Sequence, residues 1–308
     1  MTPHPRIKKL VILVLSLSLF VQTTDSIRAQ DGDDVVRVNT DLVVLNVTVT
    51  DKAGQYIPGL TISDFTIFED GKQIPAEVIA SFGMHESPFA SVVLIDTSGS
   101  MDNRLSLARS AAIRFLDRLR ADDVAAVYKF DFKVEQVQEF SNSRDLAPMA
   151  YGLNAKGMTS LNDAIFNAAK ALAARPEKRK AIVVLSDGVD TFSHVTSDKA
   201  LESALAIGAN IYAVDMSPID DRHTRGPRSA VVLKHFAERT GGRFVSSPGG
   251  PMLREAFASI AEELGHQYTL AYRPLNRKRD GKWRKLDVQL SKKDVIVRTR
   301  KAYRAAKG

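Results

Sequence analysis

The sequence predicts an α/β protein, a doubly wound and mainly parallel sheet with β-sandwich-like segments flanking it. Three observations carry this. Apolar runs at 92–95 and 182–185 read as strands buried on both faces, as in the middle of a parallel sheet. Segments of helical period separate such runs, the alternation expected where crossover helices join parallel strands. Before residue 88 and after residue 266 the period is two, with no helical stripe.

At the start of the chain, Arg6, Lys8 and Lys9 precede a mainly apolar run over 10–21, then polar residues and Ile27-Arg28-Ala29. This layout predicts a secretory signal peptide over 1–29, cut after Ala29. The apolar run is too short for a spanning helix, which needs about 20 residues. Removal is therefore expected rather than a retained transmembrane anchor, which places the product in the periplasm or outside the cell. The chain has no cysteine, so its stability must come from its core and not from disulfides.

A β segment is expected over 35–86. Val43, Leu45, Val47 and Val49 alternate with Val44, Asn46, Thr48 and Thr50, a half-buried strand. Residues 64–72 read as a second strand ending in an Asp70-Gly71 hairpin turn, with 73–82 returning. About four strands are too few to close a sandwich.

The α/β part is expected over 88–265. Across 104–120, Ala108, Ala112, Phe115, Leu116 and Leu119 fall on one helical face. Strands at 123–130 and 134–140 and a helix at 161–175 follow. Ser160 is placed to cap that helix, with Asp163 three residues on. Strands at 181–186, 210–215 and 243–246 alternate with helices at 197–208, 229–240 and 251–265, the last opened by Pro251.

From 266 to 304 the period returns to two, with Tyr268, Leu270 and Tyr272 alternating with Thr269 and Ala271, then strands at 282–290 and 295–300. This segment is expected to pair with 35–86, so that the α/β part is inserted into one β unit. Net charge is +7, yet 273–308 hold 14 Lys or Arg against three Asp, leaving the rest of the chain acidic. The basic residues alternate with apolar ones, which predicts a solvated sheet face rather than a nucleic-acid surface.

Asp96 stands where the strand at 92–95 ends, and Ser98 and Ser100 follow at alternate positions around Gly99. One carboxylate and two hydroxyls on a short loop are hard oxygen donors of the kind Mg²⁺ takes. This Asp-x-Ser-x-Ser pattern resembles the metal-ion-dependent adhesion site of von Willebrand factor type A domains. Thr159, in Lys156-Gly-Met-Thr-Ser, and Asp187, in Leu185-Ser-Asp-Gly, match the threonine and aspartate of that family's second and third loops.

The wider layout resembles the VWFA-related domain of exported bacterial proteins, on Leu60, Asp64 and Phe65 near the start and Gln267, Tyr268, Tyr272 and Pro274 near the end. The resemblance covers 35–304. It implies Mg²⁺, with Mn²⁺ or Ca²⁺ as substitutes, held directly by Ser98, Ser100 and Thr159 and directly or through water by Asp96 and Asp187. It further implies a protein or other acidic ligand that offers a carboxylate to the ion, chosen by loops 101–103 and 191–194.

Other readings stand beside this one. Asp96 and Asp187 could simply accept backbone N–H bonds, although two acids at neighbouring strand ends repel without a cation. Asp102 and Asp190 lie beside the ligands, either supporting them or capping loops. A scaffold module whose metal only ties loops together is a further alternative. A metal-dependent hydrolase fits least. An aspartyl phosphatase needs an acid where Ser98 stands, and His4, His85, His194, His223, His235 and His266 are scattered without ligand spacing. No catalytic residue is assigned.

Overall fold

The chain opens with strands β1 (Val43–Asp51), β2 (Phe65–Glu69), β3 (Lys72–Gln73) and β4 (Ile79–Gly83). There follow β5 (Phe89–Asp96), α1 (Leu105–Asp117), β6 (Val124–Phe130), β7 (Val134–Ser141), α2 (Leu161–Ala173) and β8 (Arg179–Ser186). Next come α3 (Ser197–Ala206), β9 (Ala209–Asp215), α4 (Arg228–Thr240), β10 (Phe244–Ser246) and α5 (Pro251–His266). Strands β11 (Tyr268–Tyr272), β12 (Trp283–Leu290), β13 (Val295–Arg298) and β14 (Ala302–Arg304) close it. The computed structural model describes residues 42–83, 87–147, 153–155, 157–187, 190–217, 228–246 and 251–307. The expected signal peptide over 1–29 and the start of the segment at 35–86 lie outside them.

Six strands form the central sheet in the order β10-β9-β8-β5-β6-β7. All neighbours are parallel except the edge pair β6 and β7. Every residue of β5, β8 and β9 is buried, which is why these strands read as continuous apolar runs. Helices α1 and α5 cover one face, and α2, α3 and α4 the other. On α2 the buried positions Leu161, Ala164, Ile165, Ala168, Ala169 and Leu172 repeat at helical spacing, and their alanines let the helix sit close to the sheet. A 3-10 turn over Gly99–Arg104 delays the start of α1 relative to the expected position.

Two antiparallel four-stranded sheets draw on both ends of the chain, in the orders β13-β1-β11-β4 and β14-β12-β2-β3. Leu45, Val47, Ile67, Leu270, Leu286 and Val288 share one apolar core between them. The Asp70-Gly71 hairpin is present, with positive φ of 49° and 79° at its two turn residues, as a tight two-residue connection requires. Its return leg is only two residues long, not the ten expected. Pro75 has no N–H to extend the ladder, and the chain crosses to the other sheet, where β4 pairs with β11.

Two expectations about polar residues change in the structure. The polar face of β1 is buried rather than solvated, with Asn46 and Thr48 only 5% and 2% exposed. Asn46 Nδ2 donates to Asn210 Oδ1 at 2.9 Å, and Thr48 Oγ1 donates to Glu263 Oε1 at 3.2 Å. The basic segment is likewise only partly solvated. Arg300 is buried and donates to the Leu205 and Val44 carbonyls, while buried Arg284 pairs with Asp280 at 2.9 Å. Burial pulls the Arg300 guanidinium down to about 10, still charged at neutral pH. No described helix is long and apolar enough to cross a membrane.

Candidate functional site

After β5 the chain crosses to β6 on one side, and after β8 to β9 on the other. Loops that part in this way open a crevice at the C-terminal edge of an α/β sheet. Asp96 is the last residue of β5, and Asp187 comes directly after β8, its neighbour. Ser98 and Ser100 lie on the turn leading into α1, and Thr159 lies two residues ahead of α2.

Short bonds fix the first loop. Asp96 Oδ1 accepts the Ser98 N–H at 2.8 Å, and the hydroxyls of Ser98 and Ser100 stand 3.1 Å apart. Thr97 N donates to the Phe130 carbonyl at 2.7 Å, and buried Met101 donates its N–H to the Ser98 carbonyl. Gly99 N donates to the Gly157 carbonyl at 3.1 Å, which ties the first loop to the second.

The second and third loops are bound to each other as well. Thr191 and Phe192 both donate their N–H to the Thr159 carbonyl, at 2.9 and 3.0 Å, and Thr159 N donates to Thr191 Oγ1 at 2.9 Å. Asp190 accepts from Asn162 N and Ser193 Oγ, the loop-capping role. Ser160 does not cap α2 with its side chain. Its buried hydroxyl has no hydrogen-bond partner among the described residues, and the N–H groups of Asn162 and Asp163 go instead to Asp190 and to Ser193 Oγ. Asp163 accepts from His194 N and Val195 N rather than closing a capping box.

The two acids differ in their partners. Asp96 is fully buried, and burial pushes its carboxyl from 3.8 up to about 6, against the hydrogen bonds from Ser186 and Ser98 and with a further push from the Asp187 charge. Ser186 Oγ donates to Asp96 Oδ2 at 2.5 Å. Asp187 is 4% exposed, and its Oδ1 has no hydrogen-bond partner among the described residues. Simple acceptance of backbone N–H groups thus accounts for part of Asp96 and leaves that oxygen of Asp187 unexplained.

These donors fit a hard divalent cation. Paired hydroxyls, a desolvated carboxylate and an orphaned carboxylate oxygen are what a Mg²⁺ that keeps some of its water would satisfy. No group of three or more His, Cys, Asp or Glu among the described residues is placed to hold a metal. Sequence reading alone missed Ser186, whose only hint was a polar residue after the apolar run 181–185, and it placed Thr191 in a partner-selecting loop rather than in the bonds that hold Thr159.

The von Willebrand factor type A domain family matches residues 91–189. An uncharacterized protein of Synechocystis, sll0103, is 28% identical over 138 residues, which cover 42% of this chain and 32% of the relative. The match therefore spans about a third of that protein's length. Among solved structures, a von Willebrand factor type A protein from Catenulispora acidiphila is similar at 16% identity and a TM-score of 0.49, over 79% of this chain and 73% of that one. The corresponding domain of the type V pilus tip protein Mfa5 from Porphyromonas gingivalis is similar at 14% identity and a TM-score of 0.48, over 57% and 94%. The matched segment contains nearly all of β5, the first two loops and Asp187, so it is over residues 91–189 that this chain is similar to the von Willebrand factor type A domain family.

Proposed function

We propose that this protein is an exported binding module that captures a protein or other acidic partner through a Mg²⁺ held by Asp96, Ser98, Ser100, Thr159 and Asp187. The observation that carries the reading is the buried Oδ1 of Asp187, without a hydrogen-bond partner among the described residues, in a crevice where burial and, to a smaller extent, the Asp187 charge already push the Asp96 carboxyl up. A buried, unsatisfied charged acceptor costs more than ~1–3 kcal/mol, and a cation relieves both acids at once. When bound, the ion would leave a position open to a carboxylate from outside. Export rests on the basic and apolar layout of residues 6–29.

The rival account, a metal that only ties the loops together, is the weaker one. Direct bonds already join the first loop to the second through Gly99 and Gly157, and the second to the third through Thr159 and Thr191. Loops held this way do not need an ion for their cohesion, which frees it to bind a ligand. Calorimetry with Mg²⁺ and Mn²⁺ tests the assignment. The wild type should take up one ion, and Asp187→Ala should weaken uptake at least ten-fold. Unchanged affinity in that variant would overturn the site.

A further inference from the structure

Nine large apolar side chains stand exposed among the described residues, and three of them, Phe132 (45%), Met158 (53%) and Phe192 (42%), gather on the loops of the candidate site. Phe132 sits in the turn between β6 and β7, its ring 3.2 Å from where a Cβ on Gly157 would lie. Met158 is the next residue, directly ahead of Thr159. Phe192 belongs to the third loop and donates its N–H to the Thr159 carbonyl. Three elements thus set one large apolar group each around Thr159.

Charged and aromatic neighbours stand beside them. The Lys133 ammonium lies 5.4 Å from the Phe132 ring centroid, and the His194 ring meets Phe192 edge-on at 5.6 Å. The Asp131 carboxylate accepts the Lys133 N–H, and Asp163 is occupied by His194 and Val195. Asp131 and Asp163 keep their charge while bonded to loop N–H groups, so a ligand's apolar body is what this rim accommodates, and its anion is drawn by the cation of the metal reading.

Resting on the metal reading above, we infer that Phe132, Met158 and Phe192 form an apolar collar that selects the partner: a polypeptide segment whose Asp or Glu carboxylate is flanked by large apolar side chains. The carboxylate meets the cation, and the flanking residues cover the collar. Exposed apolar side chains next to a charged anchor are the arrangement that gives a small interface its central, desolvated contacts.

The test uses the full chain with two synthetic peptides, acetyl-Gly-Leu-Asp-Phe-Gly-amide and acetyl-Gly-Ser-Asp-Ser-Gly-amide, and with decanoate, each titrated in Mg²⁺ and in chelator. The first peptide should bind at least ten-fold more tightly than the second, and only with Mg²⁺. In the double variant Phe132→Ser, Phe192→Ser that preference should collapse, while Mg²⁺ affinity, measured on the same sample, stays as in wild type. Equal binding of the two peptides, a preference that survives the variant, or binding of neither peptide to the Mg²⁺-loaded protein would overturn the inference. Tighter Mg²⁺-dependent binding of decanoate would replace the polypeptide with a lipid carboxylate and overturn it too. Failure of the wild type to bind Mg²⁺ at all is a separate result, which removes the metal reading and the collar's role together.

Discussion

Asp96→Asn should make the metal-free protein more stable, because the site is built at the expense of the fold. Asp96 is fully buried and its carboxyl is raised from 3.8 to about 6. The native state therefore holds this proton more tightly than the unfolded chain does. Between about pH 4 and pH 6 the folded protein carries more protons than the unfolded one, so this group's contribution falls as pH rises. Above pH 6 the full cost is present, ~3 kcal/mol at 1.36 kcal/mol per pH unit.

Asparagine keeps the shape, can still accept the Ser98 N–H, and can donate to the Ser186 hydroxyl, which turns to accept. Urea unfolding in chelator at pH 7.5 should show the variant ahead by up to ~3 kcal/mol, with the gap closing toward pH 4. With Mg²⁺ at a hundred times its Kd, the wild type regains ~2.7 kcal/mol and the variant gains little. A variant less stable than wild type in chelator at pH 7.5, or a gap independent of pH, would refute the reasoning.

Two further outcomes concern the β unit. Glu263 is 1% exposed and accepts from Thr48 and Tyr212 and pairs with Arg298, so Glu263→Ala should cost ~3–5 kcal/mol in urea unfolding by stranding the guanidinium. Removal of residues 266–308 takes away β11, the strand between β1 and β4, and should leave 42–83 open to limited proteolysis; unchanged protease resistance there would refute the proposal that the opening and closing segments form one domain.

The fold was legible where burial is symmetrical. β5, β8 and β9 are covered on both faces, so their middles, 92–95, 181–185 and 211–214, are uninterrupted apolar runs that announce a parallel sheet. It was less legible where one face meets another part of the same chain. Asn46 and Thr48 look like solvent-facing residues of a half-buried strand, and only the partners Asn210 and Glu263, more than 160 residues away, make that face an interior. The short return of the Asp70-Gly71 hairpin was foreshadowed by Pro75, which period alone does not weigh. At the site, the Asp-x-Ser-x-Ser pattern gave Asp96, Ser98 and Ser100, the family resemblance added Thr159 and Asp187, and all five fall on or beside loops of the α/β part. A loop-capping role for Asp190 was one of two open readings, but the bonds of Thr191 and Ser193 were not readable, since these differ in no way from ordinary loop residues until the third loop lies against the second.

The placement of the β unit bears on what the crevice can do. Its contacts with the α/β part fall at Gly208 and Asn210, where β9 begins, at Leu205 ahead of it, and at Glu263 near the end of α5. These are at or near the N-terminal edge of the parallel strands. Asp96 and Asp187 are at the opposite edge. The chain leaves the β unit from β4 and re-enters it in β11, two strands that pair with each other, so the insertion adds no long connection across the crevice. A partner can therefore approach the loops without displacing the β unit, and strain from the buried acids is carried by a sheet whose other end is anchored. Because the three loops are already bonded to one another, little ordering entropy remains to be lost on binding. The cost of the site is met in the fold beforehand, which is the reason Asp96→Asn should raise stability and lower capture together.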